Sequence, residues 1–367
     1  TSLAYTFIFF LQRKMTKQEA SSSSSKELDK KLYDRQLRVL GEQAQKRLQK
    51  SNVLICGLSG LGVEIAKNVI LTGVHSCTLY DDQMTDWDDL ASQFYLSESS
   101  IGKSRVKESL QKLKTLNHHV TVNHYEGKLT EDFLKTFSCV VFTDSSIFAL
   151  DDIDAMCTRN GVNFIAAESR GIFGAIFVNF GKHFEVVDKN GENPKLSVVN
   201  DISNAVEAEV FVDEDERHDL ETGDLITFYD VKGMTEINNT EPIPIKVTGP
   251  YGFTIGDTTK FGKYKDGGFL KQVKRKFYHD FKSLTEARKA PEYIMITSNP
   301  DEHHIGFQAL AEFQKSNKRL PRSYNAEDAD ELVKMAEKIN SATLDVSKLN
   351  TELIKKLSYT ARGKLNP

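Results

Sequence analysis

Three glycines, Gly57, Gly60 and Gly62, sit between the apolar run 53–56 and an amphipathic stretch, 63–72, that stops at Gly73. A buried strand, a tight glycine turn and a helix whose first amides attract phosphate together open a nucleotide-binding βαβ unit. Asp81 follows the next apolar run, 77–80, roughly 20 residues beyond Gly62, where such units bind a ribose hydroxyl. The spacing, however, is GxxGxG rather than GxGxxG. Ser59 stands where a middle glycine normally lets the backbone approach phosphate. Two readings stay open: a dinucleotide site, and a structural turn that has lost its ligand.

Arg35 lies in Tyr33-Asp34-Arg35-Gln36-Leu37-Arg38-Val39-Leu40-Gly41, a charged helical stretch just ahead of the first strand. An isolated arginine on such a helix is ordinarily solvated or ion-paired. Cys56, Cys77, Cys139 and Cys157 form no CxxC pair, so their spacing signals neither a zinc site nor a redox couple. Free buried thiols in a reducing compartment are expected. No metal site is expected, and the adjacent His303 and His304, on a helical stretch, are expected to face solvent.

The elements that must position these residues alternate from about residue 30 to 190. Residues 30–50 read as one helix, 53–56 as a buried strand, and 77–80 as a second strand. Residues 103–116 read as a helix, 120–125 as an alternating strand, and 139–143 and 164–167 as apolar strands. Such alternation predicts an α/β fold with a Rossmann-like, mostly parallel sheet covered on both faces. Residues 175–180 and 184–187 read as an appended hairpin. From residue 191 to 277 short β-rich runs separated by Gly, Pro, Asn and Asp predict an inserted small β-barrel or compact sheet. Three apolar stripes then predict a helical bundle over 278–363. They are Ile305, Leu310 and Phe313; Leu332, Met335, Ala336 and Ile339; and Leu349, Leu353, Ile354 and Leu357. Asn325 is the expected cap of the middle helix, with Glu327 and Asp328 in its first turn.

With 367 residues the chain has room for roughly two or three domains. A hydrophobic fraction of 39%, a charged fraction of 27% and a formal net charge of −4 describe a globular protein and give no reason to expect nucleic acid or membrane as a partner. Residues 1–26 hold a short apolar run, Met15 and the serines 21–25, and are expected to be a disordered leader with Met15 as the natural start. Residues 364–367 read as a truncated end.

The segments Tyr33–Gly41, Gly60-Leu61-Gly62-Val63-Glu64-Ile65-Ala66-Lys67-Asn68, Glu168-Ser169-Arg170-Gly171, Gly249-Pro250, Gly306-Phe307-Gln308-Ala309-Leu310, Leu320-Pro321-Arg322 and Leu357-Ser358-Tyr359 carry a family resemblance. From about residue 27 to 367 the chain resembles the N-terminal half of eukaryotic ubiquitin-activating enzyme. The resemblance implies an inactive adenylation domain (27–190), the first catalytic-cysteine half-domain (191–277) and a four-helix bundle (278–363). Active adenylation domains carry an Asn-x-x-Arg-Gln-Phe-type motif; here Asp89 and Ser92 stand in place of its asparagine and arginine. Lys103 and Asp144 match a lysine and a metal-associated aspartate of the active pattern, and read as fossil positions. ATP and Mg would thus be bound by an active adenylation half outside this fragment, which would be inactive alone. By the same resemblance, Arg35 would reach into that half's ATP site. The degenerate loop Gly57, Gly60, Gly62 with Asp81 would bind no cofactor. Ubiquitin and ubiquitin-conjugating enzymes would be the other partners, in cytoplasm and nucleus. The alternatives are a separate regulatory subunit of a SUMO- or NEDD8-type activating enzyme and a dinucleotide-binding oxidoreductase.

Overall fold

The computed structural model describes residues 29–170, 173–186, 191–213, 215, 217–290, 300–322, 324–343 and 349–358. The expected leader (1–26) and closing residues (364–367) lie outside them. The chain divides into two compact units, residues 1–184 with 279–367, and residues 185–278.

The first unit is built on a six-stranded sheet in the order β3-β2-β1-β4-β5-β6. Its strands are β1 (Asn52–Cys56), β2 (Ser76–Tyr80), β3 (Thr121–His124), β4 (Cys139–Phe142), β5 (Asn163–Arg170) and β6 (Phe173–Asn179). The first five pair in parallel, as the strand–helix alternation predicts. Leu54, Val140, Phe142, Phe164 and Ala166 form the core of one face. Burying a Leu or Phe side chain contributes about 1.5–3 kcal/mol, so these near-continuous apolar runs fix the centre of the sheet. β6 corrects the expected hairpin: Phe173–Asn179 runs antiparallel along the whole of β5, with Ala166 opposite Phe177. Phe184–Val186 (β7) instead neighbours Phe277–His279, in a separate two-stranded sheet.

The helix expected over 30–50 is two, α1 (Asp34–Leu40) and α2 (Glu42–Leu48), broken at Gly41, whose φ of +79° favours glycine. Helix α3 (Gly60–Leu71) follows the glycine loop, and α4 (Arg105–Lys114) is capped by the Ser104 hydroxyl, which accepts from Lys107 N. Two further helices, α5 (Glu131–Leu134) and α6 (Asp151–Arg159), lead into β4 and β5.

After α7 (Leu284–Lys289) come the bundle helices α8 (Pro300–Asn317), α9 (Ala326–Thr343) and α10 (Thr351–Ser358). Ile305, Leu310, Phe313, Leu332, Ala336, Ile354 and Leu357 form their shared core. Gly306 lets α8 and α10 approach closely, because a Cβ there would lie 2.3 Å from Leu357 Cδ1. The Asn325 side chain accepts from Asp328 N at 2.9 Å, which makes it the cap expected for α9. His303 and His304 are half-buried rather than fully solvent-facing. Their rings pack against Phe173 and Phe148 at 5.3 and 5.2 Å, because α8 lies on the sheet side of the bundle.

The second unit is a seven-stranded antiparallel sheet over residues 196–273, with a core that includes Val210, Phe228, Ile237, Phe253 and Leu270. His218, 3% exposed, accepts from Leu220 N on Nδ1 at 2.9 Å and donates from Nε2 to Gly249 O at 2.8 Å.

Candidate functional site

Strand order reverses between β1 and β4, and a cleft of about 830 Å³ opens at the carboxyl ends of the strands there. That is where doubly wound sheets place their ligands. Gly57, Asp81, Arg105, Thr143 and Asp144 line one wall, and Gln314, Lys318, Arg319, Arg322 and Asn325 of the bundle line the other.

Each glycine of the loop has a steric reason. Gly57 has a φ of +92°, and a Cβ there would lie 2.6 Å from Thr143 Oγ1. A Cβ on Gly62 would lie 2.0 Å from Gly57 O, so the third glycine permits the close turn itself. At Gly60 a Cβ would meet Ser92 Cβ at 2.6 Å, which places Ser92 against the loop where the active pattern has arginine. Gln93 fixes the turn by donating to Leu58 O at 3.1 Å and Ser109 Oγ at 3.0 Å.

Two of the loop's amides already have anionic partners. Leu58 N donates to Asp81 Oδ2 at 2.8 Å and Ser59 N to Asp144 Oδ2 at 3.0 Å, while the Ser59 hydroxyl bonds Asp144 Oδ1. Asp144 holds this pose with a φ of +57°, in the left-handed region that aspartate tolerates. Behind the carboxylates lies Arg105, 4% exposed, with Nε 2.7 Å from Asp89 and Nη1 3.5 Å from Asp81 and 3.8 Å from Asp144. Burial pulls the Arg105 pKa down, but the hydrogen bond and charge of Asp89, then Asp81 and Asp144, leave it above the ordinary value. Burial pushes the Asp81 carboxyl up, against the Gln83 amide, Arg105 and the Leu58 amide.

A triphosphate would compete with Asp81 and Asp144 for Leu58 N and Ser59 N. Those two amides are bonded to carboxylates, and a phosphate beside Asp144 would face a like charge. Asp89, which stands in place of the active pattern's asparagine, has a partner of its own. It is 1% exposed and bonded to Arg105, so it holds that arginine. Lys103 is exposed, and it does not line the cleft. Sequence reasoning missed Arg105; its signal was an arginine in the first turn behind the Ser104 cap, where a positive charge opposes the helix dipole and needs carboxylate company. Among the described residues, no group of three or more His, Cys, Asp or Glu could hold a metal ion.

Arg35 lies apart from this cleft, on the exposed side of α1. Asp34 pairs with Arg38 at 3.0 Å; Arg35 makes no ion pair or hydrogen bond among the described residues. Exposed apolar side chains stand among these charges: Leu32 is 55% exposed and Val39 78%, and Leu71, at the end of α3, 42%. Gln36 reaches Leu71 O at 3.4 Å, which joins α1 to the end of α3.

A doubly wound domain of the nucleotide-binding class, with two amides of its glycine loop bonded to its own carboxylates, is thus combined with an antiparallel β unit and a helical bundle. Residues 205–274 match the family model of the ubiquitin-activating enzyme E1 FCCH domain, and residues 276–340 that of the ubiquitin-activating enzyme E1 four-helix bundle. The chain is 43% identical over 355 residues to ubiquitin-like modifier-activating enzyme 1 of Rattus norvegicus, covering 95% of this chain and 34% of that protein. It is 40% identical over 356 residues to ubiquitin-activating enzyme E1 2 of Arabidopsis thaliana (94% and 33%). To ubiquitin-activating enzyme E1 1 of Schizosaccharomyces pombe it is 42% identical over 343 residues (92% and 34%). The chain belongs to the ubiquitin-activating enzyme E1 family, and it spans about a third of the length of these relatives.

Proposed function

We propose that this chain is the non-catalytic adenylation half of a ubiquitin-activating enzyme, with its first catalytic-cysteine half-domain over 191–277 and its four-helix bundle over 278–363. An active half would bind ATP and Mg, adenylate the ubiquitin C-terminus and pass it to a cysteine as a thioester for ubiquitin-conjugating enzymes. The observation that carries this reading is the glycine loop, in which Leu58 N and Ser59 N donate to Asp81 and Asp144. The same bonds weigh against a dinucleotide-binding oxidoreductase, whose pyrophosphate needs those amides. The matched FCCH and bundle regions favour the ubiquitin enzyme over a SUMO- or NEDD8-type subunit.

In this reading the exposed apolar surface of Leu32, Val39 and Leu71 docks against the active half, and Arg35 enters its nucleotide site. A guanidinium is suited to that task, being planar, permanently charged and able to bridge phosphate oxygens. Cytoplasm and nucleus are the compartments proposed for the whole enzyme. In the assembled enzyme, Arg35→Ala should slow ATP–pyrophosphate exchange on the order of 100-fold, the usual loss when one transition-state donor is removed. Exchange at the wild-type rate would remove Arg35 from the mechanism. Tight binding of ATP by this chain alone would overturn the non-catalytic assignment.

A further inference from the structure

We propose that Tyr33 and Asn117 are positioning residues that hold Arg35 in register, an inference that rests on the role given to Arg35 above. Helix α1 has seven residues and none of them is buried. A helix that short is not stable on its own, so beyond the long contact of Gln36 with Leu71 O its place is set from its ends. At the C-terminal end Gly41 passes the chain to α2, which is anchored by the buried Leu48 and by Gln45 Nε2 donating to Thr72 O at 2.9 Å. At the other end stands Tyr33, only 2% exposed, whose carbonyl accepts the first helical bond from Leu37 N at 2.8 Å. Arg35 follows two residues later.

What holds Tyr33 is specific. Its ring lies against Gly73, where a Cβ would come within 2.4 Å of the phenol oxygen, and Gly73 has a φ of +80° at the end of α3. Its hydroxyl accepts from Asn117 Nδ2 at 3.0 Å. The same amide group donates to Ile70 O at 3.1 Å, and Asn117 Oδ1 accepts from His119 N at 3.0 Å. Asn117 is 7% exposed, so these bonds are made out of water and are directional. Ring burial alone would hold the tyrosine in its slot, whereas the hydroxyl–amide bond sets how the ring is turned and where α1 begins. The surface of α1 is left free to carry Arg35 and Val39 outward.

The test is a mutant cycle in the assembled enzyme with Tyr33→Phe, Arg35→Ala and the double variant, read by ATP–pyrophosphate exchange. Tyr33→Phe removes one oxygen and keeps the ring; it should lower kcat roughly tenfold, the scale of a small misplacement of a reacting group, with KM for ubiquitin unchanged. Asn117→Ala should reproduce that loss. In the Arg35→Ala background, adding Tyr33→Phe should change nothing further. A second tenfold loss there, or a wild-type kcat in Tyr33→Phe, overturns the positioning role. A normal rate in Arg35→Ala instead overturns the function assigned to Arg35, and this inference with it. Amide exchange of the isolated chain gives an independent reading. Tyr33→Phe should speed exchange at residues 34–40 and leave β1 and β4 unchanged; unaltered exchange at 34–40 also overturns it.

Discussion

At the residue scale, the cleft depends on one cation among three carboxylates. Asp81, Asp89 and Asp144 all lie within 3.8 Å of Arg105, and Asp89 and Arg105 are almost fully buried. Deleting one member of a buried ion cluster leaves the others without compensation, which costs far more than an exposed pair is worth. Arg105→Leu is therefore expected to destabilise the first unit by about 3–5 kcal/mol. Calorimetry should show a fall of roughly 10 °C in melting temperature. An unchanged melting temperature would mean that the carboxylates protonate or reorient freely, and that the loop is not held by charge.

The bundle's entry loop shows how an element is fixed by a single acid. Asp328, in the first turn of α9, accepts both Arg319 nitrogens at 2.6 and 2.9 Å and Arg322 N at 2.7 Å. The Arg319 hydrogen bond, more than the Arg322 amide, holds its carboxyl below the ordinary aspartate range. A depressed folded pKa gives stability that is present above the unfolded value of about 3.9 and lost as pH falls through the folded value. Urea midpoints measured from about pH 5 downward should fall less steeply in Asp328→Asn than in the wild type. Parallel profiles would show that Asp328 contributes nothing to the acid sensitivity of the bundle.

At the scale of the molecule, the second unit has a hydrophobic core that lies entirely between Val199 and Leu270. A domain with its own core can fold alone. Residues 185–278, expressed by themselves, are expected to unfold in one cooperative thermal transition with dispersed amide resonances. A collapsed, non-cooperative species would show that this unit needs the rest of the chain.

Local pattern alone was enough for the strand–turn–helix at Gly57–Gly62, the parallel sheet and the Asn325 cap, because these depend on period, turn chemistry and neighbours a few residues away. The two elements misread from sequence, β6 and the break at Gly41, show the limit of that information. Phe173–Asn179 has the pattern of any half-buried strand, and only the free edge of β5 selects its partner. The charge cluster behind the loop was decided later still. Asp144 stands far from Asp81 and Asp89 in sequence, and Arg105 meets all three only after β1, β2 and β4 have aligned their carboxyl ends. Charges pair by distance in space, which a one-dimensional pattern does not contain.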